Sequence, residues 1–507
     1  MASARVGGSY WAGQPALPQA PYTLVRVRDP RARARLHATL KGGPVLSWID
    51  ALSDQRSLDA PTTIVAGACD PWHLISGAKM VITDPGDELV LAAALAGVAV
   101  TSPNGEALID ANQPEQALRR LFRDLAGRYS YADPFTDEEF TLLEAIRLCA
   151  FWRTLVDGNR PISAAIGFAS WKKPTAAPLL WAGSRQVPFV TNPSRVGHGD
   201  QVAVWKSRVP ATTLSRIESE GAHLIEVEDG FIRSAGLGAD CVPPLSLVVD
   251  RCGIFFDPRC ASELENLLQY GDYPGDLLDR ARQLRALIVE SGVSKYGVGH
   301  HRVERRAGGG RHLLVPGQVE DDRSVLCGGG AIRSNLDLLR EVRRDAPDAY
   351  ILYKPHPDVE AGHRRGAIAD GGAGHFADEV VRNQPIASLI DMVDEVHVNT
   401  SLAGFEALMR DTPVTTHGVP FYAGWGLTRD LGAVPGRRTA RRTLDELVAA
   451  VLLLYPRYLD PVTGLPCTPE ILVRRLSEGA GGGRDGPLVA VRRLQGYVKR
   501  RLASLRA

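Results

Sequence analysis

The sequence predicts an α/β protein built on parallel sheets, and three observations predict it. Short apolar runs recur at Leu224–Val227, Leu313–Val315, Tyr350–Tyr353, Val396–Val398 and Val414–Thr415, each followed by a turn and a helical pattern. Strands alternating with helices imply βαβ units. Gly-rich stretches at Gly308–Gly310, Gly328–Gly330, Gly371–Gly374 and Gly481–Gly483 punctuate that alternation as linkers and turns. The 507 residues, 44% hydrophobic and 23% charged, suffice for two to four domains with sizeable cores.

Taken from the N-terminus, residues 1–25 are rich in Gly, Pro and Ala and are expected to be disordered. Residues 26–150 read as a partial α/β module, because they weakly repeat a later segment. In the first copy, Leu74-Ile75 and Met80–Thr83 precede a helical stretch ending at Ala99-Val100-Thr101; in the second, Leu389-Ile390 and Val396–Val398 precede one ending at Pro413-Val414-Thr415. Each copy closes on a tyrosine-led turn, Tyr131-Ala132-Asp133-Pro134 and Tyr458-Leu459-Asp460-Pro461. Asp84-Pro85-Gly86 stands where the second copy has Asn399-Thr400-Ser401, so the first copy is expected to be inactive. At the other end, residues 487–507 place Val491, Leu494, Val498, Leu502 and Leu505 at three- and four-residue steps among Arg492, Arg493, Lys499, Arg500, Arg501 and Arg506. That is the pattern of an amphipathic helix on an anionic membrane surface.

Composition narrows the class. A formal charge of +1 gives no bulk attraction to nucleic acid. Seven scattered cysteines without a C-x-x-C pair suggest reduced thiols in the cytosol and no zinc site. No apolar run approaches the roughly 20 residues of a membrane span, and the N-terminus lacks a signal-peptide pattern.

Five stretches carry possible chemistry. In Ile225–Ser234 an apolar strand delivers Glu228 and Asp229 to its C-terminal end, followed by Gly230. Adjacent carboxylates in a cleft push one another's pKa apart; a solvated acidic turn is the plainer reading. Lys354-Pro355-His356-Pro357 ends another strand, and its prolines stiffen a loop that presents Lys354 and His356 to a phosphate, or merely caps a helix. Asn399-Thr400-Ser401 lies between a strand and a helix, as an ordinary N-cap or an anion site, with Glu406 on the helix that follows. Gly317-Gln318-Val319-Glu320-Asp321-Asp322 would line a cleft or imitate a D-x-D metal site, although no further ligands cluster nearby. In the loop Phe421–Gly426, Tyr422 and Trp425 would stack on a sugar or base, or simply pack.

The order of these stretches resembles the motif set of glycosyltransferases that use CMP-activated acidic sugars. The wording around them, at Glu228–Ser234, Pro244–Leu247, Gly253–Asp257, Gly317–Asp322, Tyr353–Pro357, Asn399–Glu406 and Phe421–Leu427, resembles the KpsC-type capsule polysaccharide β-Kdo transferases over roughly residues 160–475. The resemblance implies a two-lobed, Rossmann-like (GT-B-like) glycosyltransferase module, with a catalytic and acceptor lobe at 160–310 and a nucleotide-sugar lobe at 311–480. It implies CMP-Kdo as donor and growth of a β-Kdo linker on a phosphatidylglycerol-type lipid for capsule assembly and export; no metal or other cofactor is expected, because no ligand cluster with recognisable spacing appears. The implied location is cytoplasmic, peripheral on the inner face of the cytoplasmic membrane, beside other capsule assembly proteins. A β-linked donor and product imply net retention, which needs an enzyme carboxylate at the anomeric carbon. Asp229 is assigned that role with Glu228 as its acid/base partner; a general-base role for Asp229 in an inverting attack is the alternative. Arg233, Gln318, Lys354, His356, Asn399, Thr400, Ser401, Glu406, Tyr422 and Trp425 are the expected substrate-binding residues. Two rival readings are a non-catalytic assembly factor with relict motifs and a transferase of another CMP-activated acidic sugar.

Overall fold

The computed structural model describes residues 1–40, 42–51, 62–109, 114–234, 241–294, 297–298, 305, 310–368, 370–382 and 384–480. The basic tail expected at 487–507 and the linker Gly481–Gly483 lie outside the described residues. The chain divides into two compact units, one of residues 1–162 with 180–187, the other of residues 163–179 with 188–507.

The first unit holds a parallel sheet of β1 (Tyr22–Arg26), β2 (Val45–Ile49), β3 (Thr62–Ala66), β4 (Ala78–Thr83) and β5 (Ala99–Thr101), in the order β3-β2-β1-β4-β5. A hairpin follows, of β6 (Tyr131–Ala132) and β7 (Glu139–Phe140), and then the helix Leu142–Asn159. The N-terminal residues differ from expectation. Val6 and Tyr10 are buried in this unit's core, and Arg153 of the long helix donates to the carbonyls of Arg5 and Tyr10. Apolar side chains spaced among the glycines and prolines find a surface to cover, which a composition count does not register.

The second unit contains two sheets. Strands β8 (Ile162–Ile166), β9 (Phe189–Val190), β10 (Gln201–Val204), β11 (His223–Asp229) and β12 (Ser246–Asp250) form most of the first, and a small hairpin of β13 (Val293–Ser294) and β14 (Gly297–Val298) follows. The second sheet is parallel throughout, from β15 (His312–Pro316), β16 (Tyr350–Lys354), β17 (Glu379–Val380), β18 (Glu395–Val398), β19 (Val414–Thr416) and β20 (Arg429–Asp430), ordered β17-β16-β15-β18-β19-β20. The last strands, β21 (Pro456–Leu459) and β22 (Pro466–Cys467), return to the first sheet, where β21 pairs with β12. The first sheet thus runs β22-β21-β12-β11-β10-β8-β9. Residues 456–467 therefore belong with the first lobe rather than with the 311–480 lobe, a crossing that local patterning cannot reveal.

The internal repeat has a structural counterpart. Counting strands from the start of each sheet, both β1–β5 and β15–β19 are arranged third, second, first, fourth, fifth. The closing hairpins agree residue by residue. Asp133 Oδ1 accepts the Phe135 N–H at 2.8 Å, and Asp460 Oδ1 accepts the Val462 N–H at 3.1 Å. Four residues after each aspartate the chain turns left-handed, at Asp137 (φ +60°) and Gly464 (φ +70°).

Candidate active site

Strand β11 sets the chemistry. Side chains alternate along a strand, so Glu226 and Glu228 share one face and Asp229 turns to the other. Arg323 donates to both Glu226 and Glu228, with Nη1 3.2 Å from Glu228 Oε1. Asp229 meets two different cations, Lys172 Nζ at 3.0 Å on Oδ1 and Arg233 Nε at 2.8 Å on Oδ2. Gly230 borders the cleft, and it also packs closely, because a Cβ there would collide with the Ser246 side chain.

The two neighbouring carboxyls are driven apart. Burial would raise Asp229, but Arg233 and Lys172 outweigh it and hold that carboxyl well below the usual carboxylate range. Burial dominates at Glu228 and pushes it up to about 8, with Asp229 and Glu226 adding to the rise and Lys172 and Arg323 opposing it. The strand end therefore carries one carboxylate fixed in its ionised form and one acid that holds its proton near neutrality. Lys172 is buried, its ammonium 3.3 Å from the Trp205 ring centroid. Burial lowers its pKa against the pull of Asp229 and Glu228.

Asp229 and Glu228 border a cleft of about 980 Å³, as do Arg233, Gln318, Lys354, His356, Thr400, Ser401 and Glu406. Lys354, at the end of β16, is 7% exposed, and burial lowers its pKa while Glu360 at 3.8 Å works against that. His356 caps a short helix: its Nδ1 accepts the Asp358 N–H at 3.1 Å, which places the ring proton on Nε2. Gln318 and Thr400 close a ring, with the Gln318 amide donating to Thr400 Oγ1 and accepting the Thr400 N–H, each at 2.9 Å. Asn335 holds the Gln318 backbone from behind through bonds of 2.7 and 2.8 Å. Gln318 therefore borders the cleft while its side-chain amide fixes the Thr400 loop.

Three expected binders do not reach the cleft in the expected way. Asn399 is buried and its amide donates to the Ile332 carbonyl at 3.2 Å. The helix after it begins only at Ala403, with Leu402 at the N-cap, so Asn399 is not its cap. Tyr422 and Trp425 are both fully buried, which excludes stacking on a ligand. Tyr422 donates its hydroxyl to the Ser401 carbonyl, and Trp425 Nε1 donates to the Phe421 carbonyl at 2.8 Å. Tyr422 thus braces Ser401 and Trp425 braces its own loop, of which Phe421 is the aromatic that borders the cleft. Phe421 packs on Phe231 at 4.9 Å and on Phe255 at 5.6 Å, an aromatic floor for which each pair adds about 1 kcal/mol beyond its burial.

The carboxylates considered for a metal have other partners. Asp322 Oδ1 accepts the Ser324 N–H at 2.9 Å and Asp321 pairs with Arg364 at 3.2 Å. Among the described residues, Asp250, Cys252 and Glu263 cluster closely enough to hold an ion. Asp250 there already accepts from the Cys252, Gly253 and Glu263 N–H groups and from the Tyr455 hydroxyl, a structural role.

Sequence reasoning missed Lys172, Glu226 and Arg323. The lysine stands in Trp171-Lys172-Lys173, a charged pair behind a strand, which was the available signal. Glu226 and Arg323 gain meaning only when two distant segments meet.

In the first unit the position matching Asn399–Ser401 carries Asp84, whose Oδ2 accepts the Arg28 N–H at 3.0 Å, while Asp87 pairs with Arg28 at 3.5 Å. Nothing equivalent to the Asp229 arrangement is present among the described residues of that unit.

Comparison with known proteins agrees on one family. Residues 200–458 match the family described as capsule polysaccharide biosynthesis protein. Over 368 residues the chain is 40% identical to the capsule polysaccharide modification protein LipA of Neisseria meningitidis serogroup A, covering 71% of this chain and 52% of that protein. Two solved structures, the β-Kdo 2,7 and β-Kdo 2,4 transferases of Thermosulfurimonas dismutans KpsC, are each 33% identical, with TM-scores of 0.51 and 0.55. Each is covered to 98%, against 62% of this chain. The chain spans about half the length of the curated relatives it matches.

Proposed function

The chain belongs to the family of capsule polysaccharide biosynthesis proteins, and we propose that its second unit is a retaining glycosyltransferase that moves Kdo from CMP-Kdo to a lipid-linked β-Kdo acceptor. The observation that carries this reading is the divided pair at the end of β11. Asp229, held ionised by Lys172 and Arg233, is a weak base but a permanent anion, which favours attack on the anomeric carbon over proton abstraction. In the first step Asp229 displaces CMP and forms a glycosyl ester. Glu228, protonated at rest, gives its proton to the departing CMP phosphate in that step; in the second, the acceptor hydroxyl displaces Asp229 and returns a proton to Glu228, then a stronger base than an ordinary carboxylate because its pKa is about 8.

Lys354 and the Nε2–H of His356 would stabilise the departing phosphate, with Thr400 and Ser401 as hydroxyl donors, a reading supported by their shared place on the cleft. Lys354 supplies positive charge and His356, Thr400 and Ser401 supply hydrogen-bond donors where a metal acts elsewhere, so we propose metal-independent transfer. The acceptor is a phosphatidylglycerol-type lipid at the inner face of the cytoplasmic membrane. No helix among the described residues is long and apolar enough to cross a membrane.

Release of CMP from CMP-Kdo, measured with a soluble β-Kdo acceptor in excess chelator, tests the reading. Turnover that survives chelation is expected. Donor binding without turnover would give the chain to the non-catalytic assembly role, and preference for another CMP-activated sugar would change the donor.

A further inference from the structure

A second cavity, of about 400 Å³, opens at the C-terminal ends of β8 and β9, beside the segment Arg208–Thr213 that follows β10 in the sheet that carries Asp229. Its floor is apolar, from Ile166, Phe168, Phe189 and Val209, and its cations are Lys173 and Arg208. Gly167 (φ +83°) lets the chain pack closely at this floor, since a Cβ there would lie 2.7 Å from the Trp205 carbonyl oxygen and from the Val209 side chain. Arg208 borders both this cavity and the catalytic cleft, so the two adjoin at that side chain.

The adjacent lysines divide between them. Lys172 turns to Asp229, whereas the Lys173 ammonium stands 5.6 Å from the Phe189 ring centroid at the second cavity. Lys206 near Arg208 is neutralised by Glu226 at 2.8 Å. Lys173 and Arg208 have no acidic partner among the described residues, so two cations face an apolar floor without a counter-charge. A sugar acid matches both features, with C–H bonds for the aromatic floor and a carboxylate for the cations.

We propose that this cavity is an acceptor subsite that holds an acidic sugar residue one or more units behind the attacking hydroxyl, with its carboxylate between Lys173 and Arg208 and its ring on Phe189. The inference rests on the transferase reading above and adds to it the place and charge of the acceptor. It also explains how the enzyme would prefer a chain that already carries acidic sugar.

Calorimetric titration of the full-length protein with three probes tests it: the methyl glycoside of a β-Kdo disaccharide, its dimethyl ester, and glycerophosphoglycerol as a phosphodiester without sugar. The disaccharide diacid is expected to bind, the diester at least tenfold more weakly. The variant K173Q, at a residue that borders the second cavity and not the catalytic cleft, is expected to lose about tenfold or more in affinity for the diacid while its affinity for CMP-Kdo and its melting temperature stay unchanged. Equal diacid binding by variant and wild type, no diacid binding by wild type, or equal binding of diester and diacid would each overturn the proposal. Glycerophosphoglycerol binding that the variant loses while diacid binding persists would assign the cavity to a phosphodiester and overturn it too. Failure of CMP release by the wild type would sink the transferase reading separately, because diacid binding is read without turnover.

Discussion

Replacing Glu228 with glutamine should make the protein more stable in alkaline buffer while impairing transfer. Glu228 is raised from 4.5 to about 8, chiefly by burial. Between those values the native state keeps a proton that the unfolded chain has lost, so the native state binds more protons and stability falls as pH rises through the window. The rise from 4.5 to about 8, at about 1.4 kcal/mol per tenfold change in proton affinity, sets an upper bound of roughly 5 kcal/mol for the cost above pH 8. The side chain keeps 16% of its exposure through the cleft mouth, and the effective dielectric there reduces the expected cost to about 2–3 kcal/mol. Glutamine keeps the shape and cannot ionise, so the variant escapes that cost. Urea unfolding at pH 5 and pH 9, extrapolated to water, measures it. The variant should gain about 2–3 kcal/mol over wild type at pH 9 and less than about 1 kcal/mol at pH 5. A difference that does not change with pH, or a variant less stable at pH 9, would refute the assignment of the proton to Glu228.

Other expectations follow from the same contacts. Lys172→Met leaves Asp229 with Arg233 alone, so the acid limb of the pH–rate profile should move upward and turnover fall by roughly 10- to 100-fold, with Lys172→Arg restoring more than Lys172→Met; an unmoved acid limb would count against the pairing. His397 and His417, whose ring nitrogens are 3.1 Å apart, are both lowered to about 4 mainly by burial. The unfolded chain takes up those protons first, so stability should fall as pH drops from 6.5 towards 4, and denaturant melts of His417→Gln should show a flatter slope over that range. Tyr422→Phe removes the hydroxyl that supports the Ser401 carbonyl and should cost about 1–2 kcal/mol of stability, while a direct stacking role would instead appear as a large loss of donor affinity at unchanged stability.

Much of this architecture is legible in the sequence because it is local. The strands at Leu313–Val315, Tyr350–Tyr353 and Val396–Val398 are short apolar runs closed by turn residues, and the structure extends each by only a residue or two. The carboxylates at the end of β11 stand out for the same reason. The repeat is readable because the turns at Asp133 and Asp460 need the same aspartate to hold the same backbone. What escapes is what depends on burial and on distant partners. Tyr422 and Trp425 look like ligand-stacking aromatics until the packing that covers them is known. Lys172 lies 57 residues from Asp229 and Arg323 lies 95 from Glu228, separations over which no periodicity speaks. The return of β21 to the first sheet is likewise a tertiary pairing, with Tyr458 set beside Ser246.

The transfer assay with CMP-Kdo and a soluble β-Kdo acceptor, run on wild type and Asp229→Asn, tests the central claim most directly. The substitution keeps the side chain's shape and removes its charge, so circular dichroism and the melting curve should show a folded protein. Kdo transfer should fall by about 10³-fold or more, the scale expected when a nucleophile is removed, and donor-only incubation of the wild type should give a Kdo mass adduct that maps to Asp229 and is absent from the variant. Transfer by a folded Asp229→Asn variant at a rate near that of the wild type would contradict the account.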